Sequence, residues 1–257
     1  MEITDKALQI IRETREMLLP FWGNVAISAT KNNSELDVVT KLDFEVESFL
    51  AKKISEIDPG AGFKGEEYGG ETDSSRFWLC DPIDGTSFFV RGMPSCTSML
   101  ALVENGMVTF SAIYDFTTDV LFHAVRGGGA YKNGKPIHVS TRKLTHAFLG
   151  IDTHLDKQQN YEKFLQLRRK SIILSYVPSG CIYSQIAEGK VEGRVCLDPW
   201  GKDWDFAPGS LLVSEAGGVV ANLGVSIYDY HNLDFIAANK EVYEALTEGP
   251  EAIFPVR

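Results

Sequence analysis

Cysteine is scarce in this chain and is not arranged for chemistry. The four cysteines, Cys80, Cys96, Cys181 and Cys196, form no C-x-x-C pair, and most stand in apolar runs where a free thiol behaves as a small core residue. Histidine offers no better zinc set, because none of His123, His138, His146, His154 and His231 has metal-ligand spacing. Long apolar runs are missing too: nothing approaches the ~20 consecutive residues that cross a bilayer. Met1-Glu2-Ile3-Thr4-Asp5-Lys6 carries acids where a signal peptide has a basic start. Neither a membrane span nor a secretory leader is expected, and a reducing cytoplasm is the expected location. Positive charge is in deficit, 25 Lys and Arg against 35 Asp and Glu, for a net charge of −10. An acidic surface repels phosphate-rich partners, so broad binding to nucleic acid or to an anionic membrane is not expected. The chain also shows no internal repeat, no low-complexity segment and no linker long enough to separate independently moving domains.

What the 257 residues do have is ordinary globular composition, 44% hydrophobic and 23% charged, with carboxylates gathered in particular places. Trp78-Leu79-Cys80 reads as an apolar strand that delivers Asp81 and Asp84 into a turn, which Pro82 and Gly85 make easy through a fixed φ and a permissive φ. Hard oxygen ligands of this kind suit Mg²⁺ or Mn²⁺. Asp-Pro and Asp-Gly are also ordinary turn chemistry, so a solvated turn is the competing reading. Upstream, a short strand from Gly62 ends in Gly65-Glu66-Glu67; downstream, Asp203-Trp204-Asp205-Phe206-Ala207 opens what reads as an amphipathic helix. Like charges repel. A fold would collect Glu66, Asp81, Asp84 and Asp205 in one cleft only with a cation to compensate them; otherwise they belong to separate solvated turns.

Helical spacing of Ala7, Leu8, Ile11, Leu18 and Leu19 predicts a helix over 4–22, ending near Pro20. After the polar stretch 31–35, Val46, Phe49, Leu50, Ile54 and Ile57 predict a second helix with Asp43 near its start and Asp58-Pro59-Gly60 at its stop. Strands are expected at 77–80, 96–103, 107–114 and 120–125, with turns at 104–106 and 117–119. Beyond 141, runs at 147–151 and 171–177, strands at 194–197 and 235–238, and helices at 157–170, 179–188 and 204–215 suggest α/β packing.

These segments together resemble the inositol monophosphatase family of metal-dependent phosphatases. Gly65-Glu66-Glu67 matches its G-E-E, Asp81 to Thr86 its D-P-I-D-G-T, Trp204-Asp205-Phe206-Ala207 its W-D-x-A, and Glu215-Ala216-Gly217-Gly218 its E-A-G-G. Thr40-Lys41-Leu42-Asp43 resembles its T-x-x-D, and Gly127 to Gly134 extends the likeness across nearly the whole chain. The resemblance implies an α+β fold, a layered α-β-α-β-α sandwich of the sugar-phosphatase type. Residues 1–140 would form an α+β half with most metal ligands, and 141–257 an α/β half carrying Asp198 and Asp205. It implies a phosphoric monoester hydrolase using two or three Mg²⁺ ions, with Mn²⁺ as a substitute, acting on a small phosphate ester as a homodimer.

By the same resemblance, Glu66, Asp81 and the Ile83 carbonyl would hold one ion, and Asp81, Asp84 and Asp205 the second. Glu66 would also contact a third. Thr86 and Asp43 would orient and help deprotonate the attacking water, Asp84, Gly85 and Thr86 would meet the phosphate, and Asp198 would bind substrate hydroxyls. For Thr86 the competing reading is a helix N-cap, and for Asp43 an early-helix acid. Trp204 is expected to pack beside the ligand, and Glu215 to be a structural partner at a helix end.

The chain departs from the family pattern in places. Ser87-Phe88-Phe89 replaces T-N-F, Val177-Pro178-Ser179-Gly180 stands for a run of small residues, Pro208 enters the first turn of the helix after Asp205, and the usual loop lysine aligns with Asn32 rather than Lys31. Inositol 1-phosphate is the first substrate candidate. Histidinol phosphate, fructose 1,6-bisphosphate, the 2′-phosphate of NADP and 3′-phosphoadenosine 5′-phosphate are alternatives within the same chemistry, and Arg91-Gly92-Met93-Pro94 favours the inositol and histidinol phosphate branches. A regulatory protein that keeps the fold and binds partners is the alternative of another class. A calcium module lacks the EF-hand spacing it would need.

Overall fold

Along residues 77–80 the side chains alternate: Phe77 and Leu79 enter one apolar cluster, and Trp78 and Cys80 another. A strand buried on both faces must lie in a sheet covered on both sides. The structure, a computed structural model, describes residues 2–26, 29–30, 38–70 and 75–256. The polar stretch 31–35, with Lys31 and Asn32, lies outside them.

In chain order the elements are α1 (Ile3–Leu18), β1 (Ala29–Thr30), β2 (Val38–Val39), α2 (Lys41–Ile57), β3 (Gly62–Gly65), β4 (Arg76–Asp84), α3 (Thr86–Val90), β5 (Thr97–Glu104), β6 (Met107–Asp115), β7 (Val120–Val125), β8 (Gly129–Lys132) and β9 (Lys135–Pro136). There follow β10 (Phe148–Thr153), α4 (Gln158–Lys170), β11 (Ile172–Leu174), α5 (Ser179–Ala187), β12 (Gly193–Leu197), α6 (Asp203–Glu215), β13 (Val219–Asn222), β14 (Phe235–Ala238) and α7 (Lys240–Thr247). A seven-stranded sheet runs β3-β4-β5-β6-β7-β8-β9, and a five-stranded sheet runs β11-β10-β12-β14-β13. The seven-stranded sheet is antiparallel except for the parallel pair β3 and β4. In the other, β10 lies parallel to both β11 and β12.

Three apolar clusters define five layers. Ile11, Leu18, Val46 and Leu50 of α1 and α2 pack on Trp78, Leu100 and Phe110. Ile182 and Tyr183 of α5, with Phe206, Leu211 and Leu212 of α6, lie between the other face of that sheet and Cys196, Phe235 and Ala237 of the second. Leu167, Val242 and Leu246 of α4 and α7 cover the outer face through Leu149, Val195 and Ile236. The result is the expected α-β-α-β-α sandwich. No helix among the described residues is long and apolar enough to cross a membrane.

Some sequence expectations need correction. The α-helix of the first segment ends at Leu18, and a 3₁₀ turn over Leu19–Phe21 carries Pro20. Helix α6 is not amphipathic: Phe206 through Val213 are all buried, because a helix between two sheets has no solvent face. Pro208 lies beyond the first turn, inside α6, so its missing N–H leaves the carbonyl four residues back without its helical donor. Next to it, a Cβ on Gly209 would stand 2.1 Å from the Tyr183 ring, so α5 and α6 approach only because this position is glycine. Helix α7, strand β13 and the β8–β9 ribbon are additions to the elements expected from the sequence.

Because Leu212 is fully buried in the central layer, Leu212→Ala should lower unfolding stability by about 2–5 kcal/mol. Urea denaturation followed by circular dichroism checks this.

Candidate active site

A strand alternates its side chains, so residues three apart, such as Asp81 and Asp84, should face opposite sides. The structure resolves this with a bulge. Asp81 pairs with Met99 and Asp84 with Thr97, so β4 uses one more residue than β5 across this interval and both carboxylates come to one face. Pro82, which has no N–H to donate, sits inside it. The motif is therefore not the turn expected from Asp-Pro and Asp-Gly: β4 runs through to Asp84, and the chain bends at Gly85, where φ is +83°.

Asp205 reaches the same point from the first turn of α6, where Lys202 N–H donates to its Oδ2 at 2.6 Å. Lys64 of β3 anchors that helix start through Asp203 at 2.7 Å, and its ammonium lies 5.1 Å from the Trp204 ring. One carboxylate oxygen from each of Asp81, Asp84 and Asp205 lies within 4.8 Å of the others. Glu66 follows β3 and continues its ladder, donating N–H to the Cys80 carbonyl at 3.2 Å. That bond puts Glu66 beside Asp81, whose carboxyl it raises. Its loop is held by Glu47, whose buried carboxylate accepts from Glu67 N at 2.7 Å and Tyr68 N at 2.9 Å. A Cβ at position 65 would lie 2.1 Å from the Glu47 carboxyl, so glycine here leaves room for that carboxylate to reach the loop.

Asp84 is well supplied with donors: Ser179 N at 2.9 Å to Oδ1, and Gly180 N at 2.7 Å and Thr97 Oγ at 3.0 Å to Oδ2. A Cβ on Gly180 would stand 2.1 Å from Thr97 Oγ, which explains the small residue at this departure from the family pattern. Asp81 is different. It is 1% exposed, and its Oδ1 has no hydrogen-bond partner. Burial, then the charges of Glu66, Asp84 and Asp205, holds its carboxyl far above the usual aspartate range. Burial and Glu66 do the same to Asp205. Asp84, also raised by burial but relieved by its donors and by Arg194, is pushed up to about 6. A buried carboxylate oxygen without a donor, beside other carboxylates, fits a hard divalent cation.

Thr86 is not a helix N-cap. Gly85 takes that position, and Thr86 is the first residue of α3. Its Oγ lies 3.0 Å from Asp43 Oδ1 and 2.9 Å from the Ile83 carbonyl, so one hydroxyl proton serves one acceptor at a time. Asp43 closes a capping box at the start of α2, its Oδ2 accepting from Thr40 N and Thr40 Oγ at 2.7 Å each. Burial raises the Asp43 pKa, against the lowering effect of Thr40 and Thr86. The Ile83 side chain is buried in the core under α1 and α2, which leaves its carbonyl to the site side.

Asp198 does not join the cluster. Its carboxylate is held by Lys157 Nζ at 2.6 Å and Asn160 Nδ2 at 2.9 Å, and its backbone is left-handed with φ +50°. Glu215 is a structural partner as expected, accepting from Gly127 N and Gly129 N at 2.9 Å each. Sequence reasoning missed Glu47, Thr97, Ser179 and Arg194. Each acts across distant segments; Glu47 stands one helical turn after Asp43, and Ser179 lies in the segment that departs from the family pattern, where it was given no role.

The inositol monophosphatase family matches residues 1–251, and the chain belongs to that family. Its members are metal-dependent phosphoric monoester hydrolases, and so is this chain. A fructose-1,6-bisphosphatase/inositol-1-monophosphatase of Thermotoga maritima is 28% identical over 252 residues, covering 96% of this chain and 95% of that protein. The Nus factor SuhB of Xylella fastidiosa is 32% identical over 196 residues, 74% of this chain and 70% of that one. The solved structure of an IMPase from Thermotoga maritima superposes with a TM-score of 0.85 at 26% identity, covering 95% of this chain and 94% of that one.

The raised carboxyl values set a pH dependence for the metal-free protein. Asp84 titrates at about 6 when folded against 3.8 as the reference, and Asp81 and Asp205 are raised further. Between reference and folded values the folded state binds more protons, so stability falls as pH rises through that window. In chelator the melting temperature should drop from pH 5 to pH 7.5, and added Mg²⁺ should raise it more at pH 7.5 than at pH 5. Scanning fluorimetry across that range checks both.

Proposed function

We propose that this chain hydrolyses a small polyol or sugar phosphate, with inositol 1-phosphate the first substrate, using two or three Mg²⁺ ions for which Mn²⁺ substitutes. The observation that carries the reading is the unpartnered buried Oδ1 of Asp81 in a group of carboxylates within 4.8 Å. Glu66, Asp81 and the Ile83 carbonyl would hold one ion, and Asp81, Asp84 and Asp205 the second. Glu66 would reach a third. When bound, the cations supply Lewis acidity to the phosphoryl oxygens and to the attacking water.

The chain's own groups do the remaining work. Thr86 Oγ, 3.0 Å from Asp43, passes its proton to that carboxylate while accepting one from water. The raised Asp43 pKa makes it a better acceptor than an exposed aspartate. The amides of Gly85 and Thr86 would receive the phosphate oxygens, and Asp84 would meet the phosphate through the ion it holds. No covalent phosphoenzyme forms. Asp198, its Oδ2 held by Lys157 and Asn160, accepts from substrate hydroxyls. We read 1–140 and 141–257 as two halves that meet at the site, and the working form as a cytoplasmic homodimer.

Phosphate release measured on inositol 1-phosphate, histidinol phosphate, fructose 1,6-bisphosphate, NADP and 3′-phosphoadenosine 5′-phosphate names the substrate. Asp81→Asn should cut kcat about 10²–10³-fold, since a metal's charge stabilisation is worth several kcal/mol. Full turnover in chelator or in this variant would end the reading. Asp198→Ala should instead raise KM roughly tenfold with kcat little changed, the loss of about 1.5 kcal/mol of charged hydrogen bonding; steady-state kinetics on the preferred ester separates the two constants.

The SuhB relative, named a Nus factor, supports a second reading, a regulatory partner-binding role on the same fold. A folded, Mg²⁺-loaded protein that releases phosphate from none of these esters would move the reading there.

A further inference from the structure

We propose that Arg194 is a positioning residue for the metal-binding carboxylates, its buried guanidinium tying the helix start that holds Asp84 to the loop that leads into Asp205. The inference rests on reading Asp84 and Asp205 as metal ligands. Arg194 projects from β12 into the central layer and is 6% exposed. Its guanidinium carbon lies 5.0 Å from the Tyr183 ring and 5.3 Å from the Phe206 ring, so α5 and α6 clasp it from two sides.

Its hydrogen bonds run in two directions. Nη1 donates to Ser179 Oγ at 2.9 Å, and the Ser179 and Gly180 amides donate to the two oxygens of Asp84. Nη2 donates to Asp152 Oδ2 at 3.0 Å, while Asp152 Oδ1 accepts from Trp200 N at 3.1 Å. Two residues later, Lys202 N grips Asp205 at 2.6 Å. One rigid fork thus joins supports for ligands that come from different layers, and a lysine, a point donor on a flexible stem, cannot span both directions. A buried charge is poor value for packing alone, since apolar side chains fill such space at lower cost. Contacts with the supports of both carboxylates give it a reason to be there.

The sign of its effect on a bound cation follows from its partner. A lone positive charge near the site would weaken cation binding, but Arg194 is paired with Asp152, whose opposite charge offsets part of its field there. Geometry is left as the larger effect, so removing the fork weakens binding. Supporting groups behind metal ligands are typically worth about 10–100-fold in affinity.

The probe is Mn²⁺, titrated into the full chain with free ion read by electron paramagnetic resonance. Wild type, Arg194→Met, Arg194→Lys, Ser179→Ala and Asp81→Asn are compared, each verified as folded by circular dichroism. Arg194→Met should bind Mn²⁺ at least tenfold more weakly, with Arg194→Lys recovering part of the loss. Ser179→Ala, which removes only the acceptor of Nη1 and keeps the amide on Asp84, should weaken binding several-fold; it decides the matter if Arg194→Met does not fold. Wild-type or tighter affinity in the folded Arg194→Met protein overturns the proposal. If wild type binds no Mn²⁺, or Asp81→Asn binds it equally well, the metal-ligand reading fails and this inference with it.

Discussion

The mutual repulsion of buried carboxylates is the constraint on which the rest of this structure depends. Asp81, Asp84 and Asp205 are brought within 4.8 Å of one another, and Glu66 touches Asp81. In a low-dielectric interior such neighbours cannot all ionise without compensation. The protein compensates some of them itself. Asp84 takes donors from Ser179, Gly180 and Thr97, and Asp205 takes one from its own helix start. Asp81 Oδ1 is left without any. The carboxylate shared between the two proposed metal positions is thus the one whose need the protein does not meet, which makes a cation part of the site's chemistry rather than an addition to it.

The layered architecture makes that concentration of charge possible. Strand β4 is buried on both faces, helix α6 lies between two sheets, and the start of α5 reaches the end of β4. The elements that carry Asp81, Asp84 and Asp205 are therefore fixed by packing on more than one side. Glycines at 65, 180 and 209 permit the close approaches involved, each where a Cβ would come 2.1 Å from a neighbour. A mobile loop could not hold like charges together at this spacing, because it would relax to separate them.

Family membership and geometry speak to different parts of the reaction. In the proposed reaction the phosphoryl end falls to the carboxylates, Thr86 and Asp43, and the alcohol end to the loop around Asp198, whose Oδ2 accepts from Lys157 and Asn160. Sites of this kind keep one chemistry and change leaving group by loop variation.

The sequence by itself determined the local elements and the identity of the carboxylates. The apolar strand at 77–80, the turns at 104–106 and 117–119, and the helical spacing after Asp43 depend on neighbours within a few residues, so they were legible. The meeting of Glu66, Asp81, Asp84 and Asp205 was legible only through resemblance to a family, since nothing in spacing says that these separate segments, the last more than a hundred residues from the others, come together. Tertiary structure decided what depends on long-range partners: the bulge that turns Asp81 and Asp84 to one face, the burial of α6 on all sides, Glu47 beneath the Glu66 loop, and Arg194 between α5 and α6. The physical reason is that hydrophobic periodicity reports which face of an element is buried, whereas a hydrogen bond or a charge pair across layers exists only once those layers have packed.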